Sequence, residues 1–128
     1  MTMRWTDLPE HSSVAADVIA KQQAFAAMLG LLIHYAALRG WGLTLAEGYV
    51  GDSIDKPGED SPHKRTHNHF IRMAQDLNLW VEGRWVRDGS APEWLQLGYF
   101  WKTLHPLARW GGDWADANHF SLAHNGKK

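Results

Sequence analysis

The chain has 128 residues, 45% apolar and 21% charged, which suits one modest globular core. A formal net charge of −1 supplies no basic field to draw nucleic acid or anionic lipid, and no zinc-finger, basic-zipper or RNA-recognition pattern is present. Cysteine is absent, so disulfides are excluded and a metal site must use His, Asp or Glu; eight His and eight Trp are the unusual counts.

The N-terminal stretch "MTMRWTDLPEHSS" has no apolar core of the kind a secretory signal peptide carries. Residues 13–39 read as a helix. Val14, Val18, Gln22, Phe25, Leu29, Leu32 and Ala36 recur at three- and four-residue spacing, which buries one face. Ser12 or Ser13 is the expected cap, and Gly40 the stop. The apolar run from Ala24 to Leu38 is shorter than the roughly 20 residues that span a bilayer, so no stable membrane insertion is expected. "GLTLAEGYV" alternates as a strand, and residues 51–68, rich in Gly, Pro, Asp and Ser, form a long loop of the length that usually carries function.

"QDLNLWV" alternates again, with Asp76, Asn78 and Trp80 on one face and Leu77, Leu79 and Val81 on the other. Glu82-Gly83 turns the chain into "RWV" as a hairpin. Ser90-Ala91-Pro92-Glu93 has the spacing of a capping box, opening a helix over 91–104 with Trp94, Leu97, Trp101 and Leu104 along one stripe. "WGGDW" is a glycine turn whose tryptophans, Trp110 and Trp114, are candidates for a cleft rim. "NHFSLA" is the last strand. The expected class is α+β, helices packed on a small antiparallel sheet in one domain over residues 1–128. Segments 1–12 and 123–128 are expected to fray.

The candidate chemistry is a His/Asp/His zinc site. Catalytic zinc takes three protein ligands and leaves a fourth position for water. Asp76 at a strand start, His119 at another, and His69 seven residues before Asp76 are the expected ligands. Asp116, three residues before His119, is the expected general base, with Asp113 as the alternative. His63 and His67 read as exposed loop residues. Ser61-Pro62-His63 imitates the start of a ligand motif, but Phe70 stands seven residues after His63, so the register favours His69.

These residues resemble a known family. "HFIRMAQDLNL" is similar to the first zinc motif of the D-alanyl-D-alanine carboxypeptidase family of metallopeptidases, the group known as M15, matching at His69, Ala74 and Asp76. "WGGDWADANHF" resembles its second motif, an acid three positions before a ligand His, at Asp116 and His119. "LTLAEGY" is similar to the strand that precedes the first motif, and the pairing of "WGGDW" with D-x-x-H-F is most like the phage endolysin branch. The resemblance covers roughly residues 20 to 122. It implies the D-Ala-D-Ala peptidase (hedgehog-like) fold, a Zn2+ cofactor, and hydrolysis of peptidoglycan stem peptides at L-Ala–D-Glu.

The family pattern is not met everywhere. His67 stands where many members carry Ser, Arg72 where many carry Gly, and Val50 where many carry a substrate-binding Arg. Arg72, Arg65 and Lys64 are the candidate replacements for that Arg. Arg72, Asn78, Trp80, His67 and Trp114 are the expected substrate contacts.

The resemblance further implies a monomer that acts at the bacterial cell wall. It would leave the host cytoplasm through a holin-type pore and reach the periplasm at lysis, since no signal peptide is read. Two other readings stand beside the endolysin. One is a D-Ala-D-Ala carboxypeptidase. The other is a non-catalytic wall or phage module in which His63 or His67 closes a structural zinc site. An interaction domain without metal is the bland reading.

Overall fold

The structure is a computed structural model that describes residues 4–46 and 72–128. Helix α1 (Ala15–Leu38) is followed by β1 (Trp41–Leu45), β2 (Ala74–Val81), β3 (Arg84–Trp85), α2 (Pro92–Thr103), β4 (Ala108–Trp110) and β5 (His119–Leu122). Short 3-10 turns occupy Trp5–Asp7 and Gly111–Trp114. The strands form one antiparallel sheet in the order β1-β2-β5-β4, with β3 added to β2. The expectation of helices on an antiparallel sheet holds.

Strand β2 organises the sheet. Leu77 and Leu79 are fully buried, while Asp76, Asn78 and Trp80 alternate onto the opposite face. Along one side it pairs with β1. Along the other, its first residues pair with β5 and its last with β3. The hairpin forms as read: Glu82 (φ 52°) and Gly83 (φ 75°) both take the left-handed conformation that a two-residue turn of matching twist requires.

The core lies between that sheet and both helices. Trp94, Leu97 and Trp101 of α2 are buried, and Trp101 meets the rings of Phe25 and Phe120 edge-on at 5.7 and 5.6 Å. Its indole N–H donates to the carbonyl of Ser121 at 3.0 Å, so a large apolar ring enters the core with its polar edge satisfied. The capping box does not form. Ala91 is the N-cap, and Ser90 instead donates its N–H and Oγ–H to Asp88 Oδ1 in the preceding turn. Asp88, two residues away, competes with the helix start for the serine through a local side-chain-to-backbone turn.

Helix α1 ends at Gly40 (φ 78°), as read. At its start Val14 is the N-cap without a side-chain bond; Ser12 Oγ accepts the Val14 N–H and donates to Asp17. At 24 residues α1 exceeds the apolar run read from the sequence, and by length and composition alone it could cross a bilayer. Here Ala24, Phe25, Met28, Leu32 and Ala36 face the core. Of the expected stripe, Phe25, Leu32 and Ala36 are buried and Val18 and Leu29 pack half-buried against the core, while Lys21 rather than Gln22 is buried.

Lys21 is fully buried, and it holds both chain ends. Its Nζ donates to the Glu10 carbonyl at 2.5 Å and to His124 Nδ1 at 3.0 Å. Asn125 Oδ1 accepts the Ser12 N–H at 3.0 Å, and His124 bridges Lys127. Within the segments expected to fray, Leu8, Ala123 and His124 are buried. A buried ammonium needs acceptors, and these segments provide them.

Burial lowers the Lys21 pKa, against the pull of Glu10 and Asp17. Burial also lowers that of His124, helped by the charges of Lys21 and His11. His105 is lowered by burial, opposed by its bond to the Trp5 carbonyl. Its Nδ1 accepts the Leu107 N–H, so the neutral ring satisfies both contacts and a second proton would break one.

Below their ordinary value of 6.5 the unfolded chain therefore binds protons that the folded chain refuses, and stability falls as pH falls from about 6.5. Thermal unfolding followed from pH 7.5 to 5.0 should show Tm dropping with pH. The slope should flatten in the doubly substituted His105→Gln/His124→Gln protein. Identical slopes in both would assign the acid sensitivity to carboxylates instead.

Candidate metal centre

The antiparallel register of β2 and β5 sets Asp76 directly opposite His119. The Leu77 N–H donates to the Asn118 carbonyl at 2.9 Å and locks that register at the point where the site begins. Phe120 and Leu122 point into the core, so alternation sends His119 and Ser121 to the Asp76 face. Asp76 Oδ1 lies 3.4 Å from His119 Nδ1, with side chains 13% and 3% exposed.

Asp116 reaches the same place from the loop before β5. Ligand atoms of Asp76, Asp116 and His119 all lie within 4.8 Å of one another. Ala115 adopts a left-handed conformation (φ 63°), the Asp116 N–H returns to the Gly111 carbonyl at 2.7 Å, and the His119 N–H donates to the Asp116 carbonyl at 3.0 Å. The D-x-x-H spacing thus closes one turn that brings a carboxylate and an imidazole to one side.

Two close approaches hold that loop. A Cβ on Gly111 would meet the Asp116 carbonyl oxygen at 2.0 Å and His119 Cβ at 2.7 Å, so only glycine fits. The Trp110 ring is wedged between Gly98 of α2 and Gly112, where added Cβ atoms would come within 2.1 and 2.2 Å of it, and its N–H donates to the Ala117 carbonyl at 2.7 Å. Trp110 is therefore buried core, which corrects its candidacy for the rim.

Ser121 was missed in the sequence. Its Oγ lies 3.1 Å from His119 Nε2. The signal was there, since a residue two along a strand shares its neighbour's face. With hydrogen on Nε2 donated to Ser121, the Nδ1 lone pair and a carboxylate oxygen converge at 3.4 Å. Two ligands about 2.1 Å from one tetrahedral ion sit ~3.4 Å apart, so the donor set and its spacing fit a divalent cation. With hydrogen on Nδ1 the same contact is an ion pair or hydrogen bond.

The remaining expectations divide. His69, the third expected ligand, lies outside the described residues, as do His63, Lys64, Arg65 and His67. Asp113 pairs with Lys102 Nζ at 3.1 Å and is not part of the Asp76/Asp116/His119 group. Trp114 meets the His119 ring edge-on at 5.5 Å. Asn78 lines a cavity of about 320 Å³ that also includes Asp116. Trp80 instead donates to Thr44 Oγ1 and stacks on Trp85 at 6.0 Å, outside that lining. Arg72 is exposed, in a left-handed conformation just before β2.

No protein-family model and no curated protein matches this sequence. The family resemblance therefore rests on the two motifs.

Replacing Gly111 by Ala should cost about 1–3 kcal/mol of stability. It should also weaken binding of a divalent ion, because Asp116 and His119 must both shift. Gly30, in mid-helix with open space around it, provides the contrast. Gly30→Ala should stabilise by about 0.5–1 kcal/mol and leave metal binding unchanged. Thermal melts and metal titration of the two variants read both effects.

Proposed function

We infer that the protein is a metal-dependent peptidase of the D-alanyl-D-alanine carboxypeptidase family fold, acting as an endolysin on peptidoglycan stem peptides at the L-Ala–D-Glu bond. The observation that carries this reading is the Asp76–His119 contact at 3.4 Å with Asp116 in the same cluster. These are the residues that the two motifs single out as ligand, ligand and base. On that reading His69, Asp76 and His119 hold Zn2+, which supplies Lewis acidity to a water nucleophile and to the scissile carbonyl.

The protein's own part is orientation and proton transfer. Ser121 fixes the ring of His119 through Nε2, and the β2–β5 register fixes Asp76 against Nδ1. Asp116 is exposed where Asp76 and His119 are not, as a group that exchanges protons with substrate must be. A carboxylate oxygen of Asp116 takes the proton from the attacking water and delivers it to the departing amine. Passage to the cell wall through a holin-type pore belongs to the same reading.

The two principal alternatives differ in product and ligand number. A D-Ala-D-Ala carboxypeptidase would release terminal D-Ala. A wall-binding module would close its zinc with a fourth protein ligand.

Purified peptidoglycan digested with and without chelator should yield new L-Ala carboxyl and D-Glu amino termini by mass analysis, only without chelator. Release of D-Ala alone would select the carboxypeptidase, and no product the binding module or the metal-free domain. Asp116→Asn should keep its metal and lose about 10²–10⁴-fold in kcat, while His119→Ala should lose both. Full turnover in Asp116→Asn would move the base elsewhere.

A further inference from the structure

Beside the cluster, β2 changes partners. Its pairing with β5 reaches Leu77, through the Asn118 carbonyl, and its pairing with β3 begins at Leu79, through the Val86 N–H. The cavity of about 320 Å³ opens at this change of partner. Leu77 and Trp94 line it with apolar surface, Asn78, Asn118 and Asp116 with polar groups, and Arg87 brings a cation.

Arg87 is set up to meet an anion. Its guanidinium lies over the Trp85 ring, 4.7 Å from the centroid, which limits its freedom while leaving the planar N–H edge available. Among the described residues it makes no ion pair and no hydrogen bond. The neighbouring acid, Asp88, has its Oδ1 engaged by Ser90. The planar guanidinium fork matches a carboxylate bidentately, and the two asparagines add hydrogen bonds of either sense.

We propose that this cavity is a substrate-binding subsite in which Arg87, stacked on Trp85, captures a carboxylate of the peptide being cleaved. The proposal deepens the peptidase reading and rests on it for the identity of the substrate. Two carboxylates share this chemistry: the α-carboxylate of an internal D-Glu, and the free C-terminus of a stem peptide. Capture of the first aligns an endopeptidase substrate, and capture of the second a carboxypeptidase substrate.

The test separates binding from turnover. The full-length protein is titrated with N-acetyl-D-glutamate and with its diamide, followed by NMR at the Trp85 indole and the Arg87 Nε–H. The acid should shift both signals, the diamide neither, and Arg87→Gln should remove the Trp85 response. Arg87→Lys, which keeps the charge but not the fork, should fall between. Unshifted signals with the acid, or an unchanged Trp85 response in Arg87→Gln, would overturn the proposal whatever the protein hydrolyses.

The source of the carboxylate is then read from stem tetrapeptides carrying D-isoglutamine in place of D-Glu, or a C-terminal amide. Removing the carboxylate that Arg87 reads should raise KM at least about tenfold in the wild type and change little in Arg87→Gln, with kcat affected less in both. A carboxylate response at Arg87 without peptidoglycan cleavage would refute the peptidase reading and leave the subsite standing.

Discussion

The site depends on a hydrogen-bond register. Because β2 and β5 pair with Asp76 facing His119, two polar side chains from remote parts of the sequence meet on one face of a sheet whose other face is the core. A slip of β5 by one residue against β2 would send His119 into the apolar layer and bring Phe120 out, leaving Asp76 without its partner. Burial of Leu77, Leu79, Phe120 and Leu122 therefore does more than stabilise the fold. It selects the alignment in which the acid and the imidazole touch.

Around that pair the protein uses one residue for two ends. Ser121 gives its carbonyl to the Trp101 indole in the core and its hydroxyl to His119 at the site. The same economy appears where Lys21 ties residues 10 and 124 to the second turn of α1. There a charged group inside the core is tolerated because the first and last described segments both supply acceptors.

Much of this was legible in the sequence, and the failures have physical causes. Period-two alternation gave β2 with the correct faces, and Glu82-Gly83 gave its hairpin, because both signals are local. The D-x-x-H spacing brought Asp116 and His119 together because three residues close one turn. The capping box failed because Ser90 had a nearer competitor in Asp88. Lys21 and His124 were unreadable, since a lysine on a helix and a histidine in a polar tail look solvated until a tertiary contact buries them. Arg87 carried no signal either: its role depends on where β3 leaves β2, and on the loop of Asp116 arriving alongside. His69, the remaining ligand of the motif, lies outside the described residues.

The Trp110 wedge ties sequence change on α2 to the chemistry of the loop. With its indole pressed against Gly98 and Gly112 and bonded to Ala117, positions 98, 110 and 112 form one steric unit. A side chain can be gained at position 98 only if the ring at 110 shrinks in the same lineage, and the smaller ring forfeits the donor that anchors the loop of Asp116. Divergence along this helix is therefore epistatic: its permitted paths pass through paired changes.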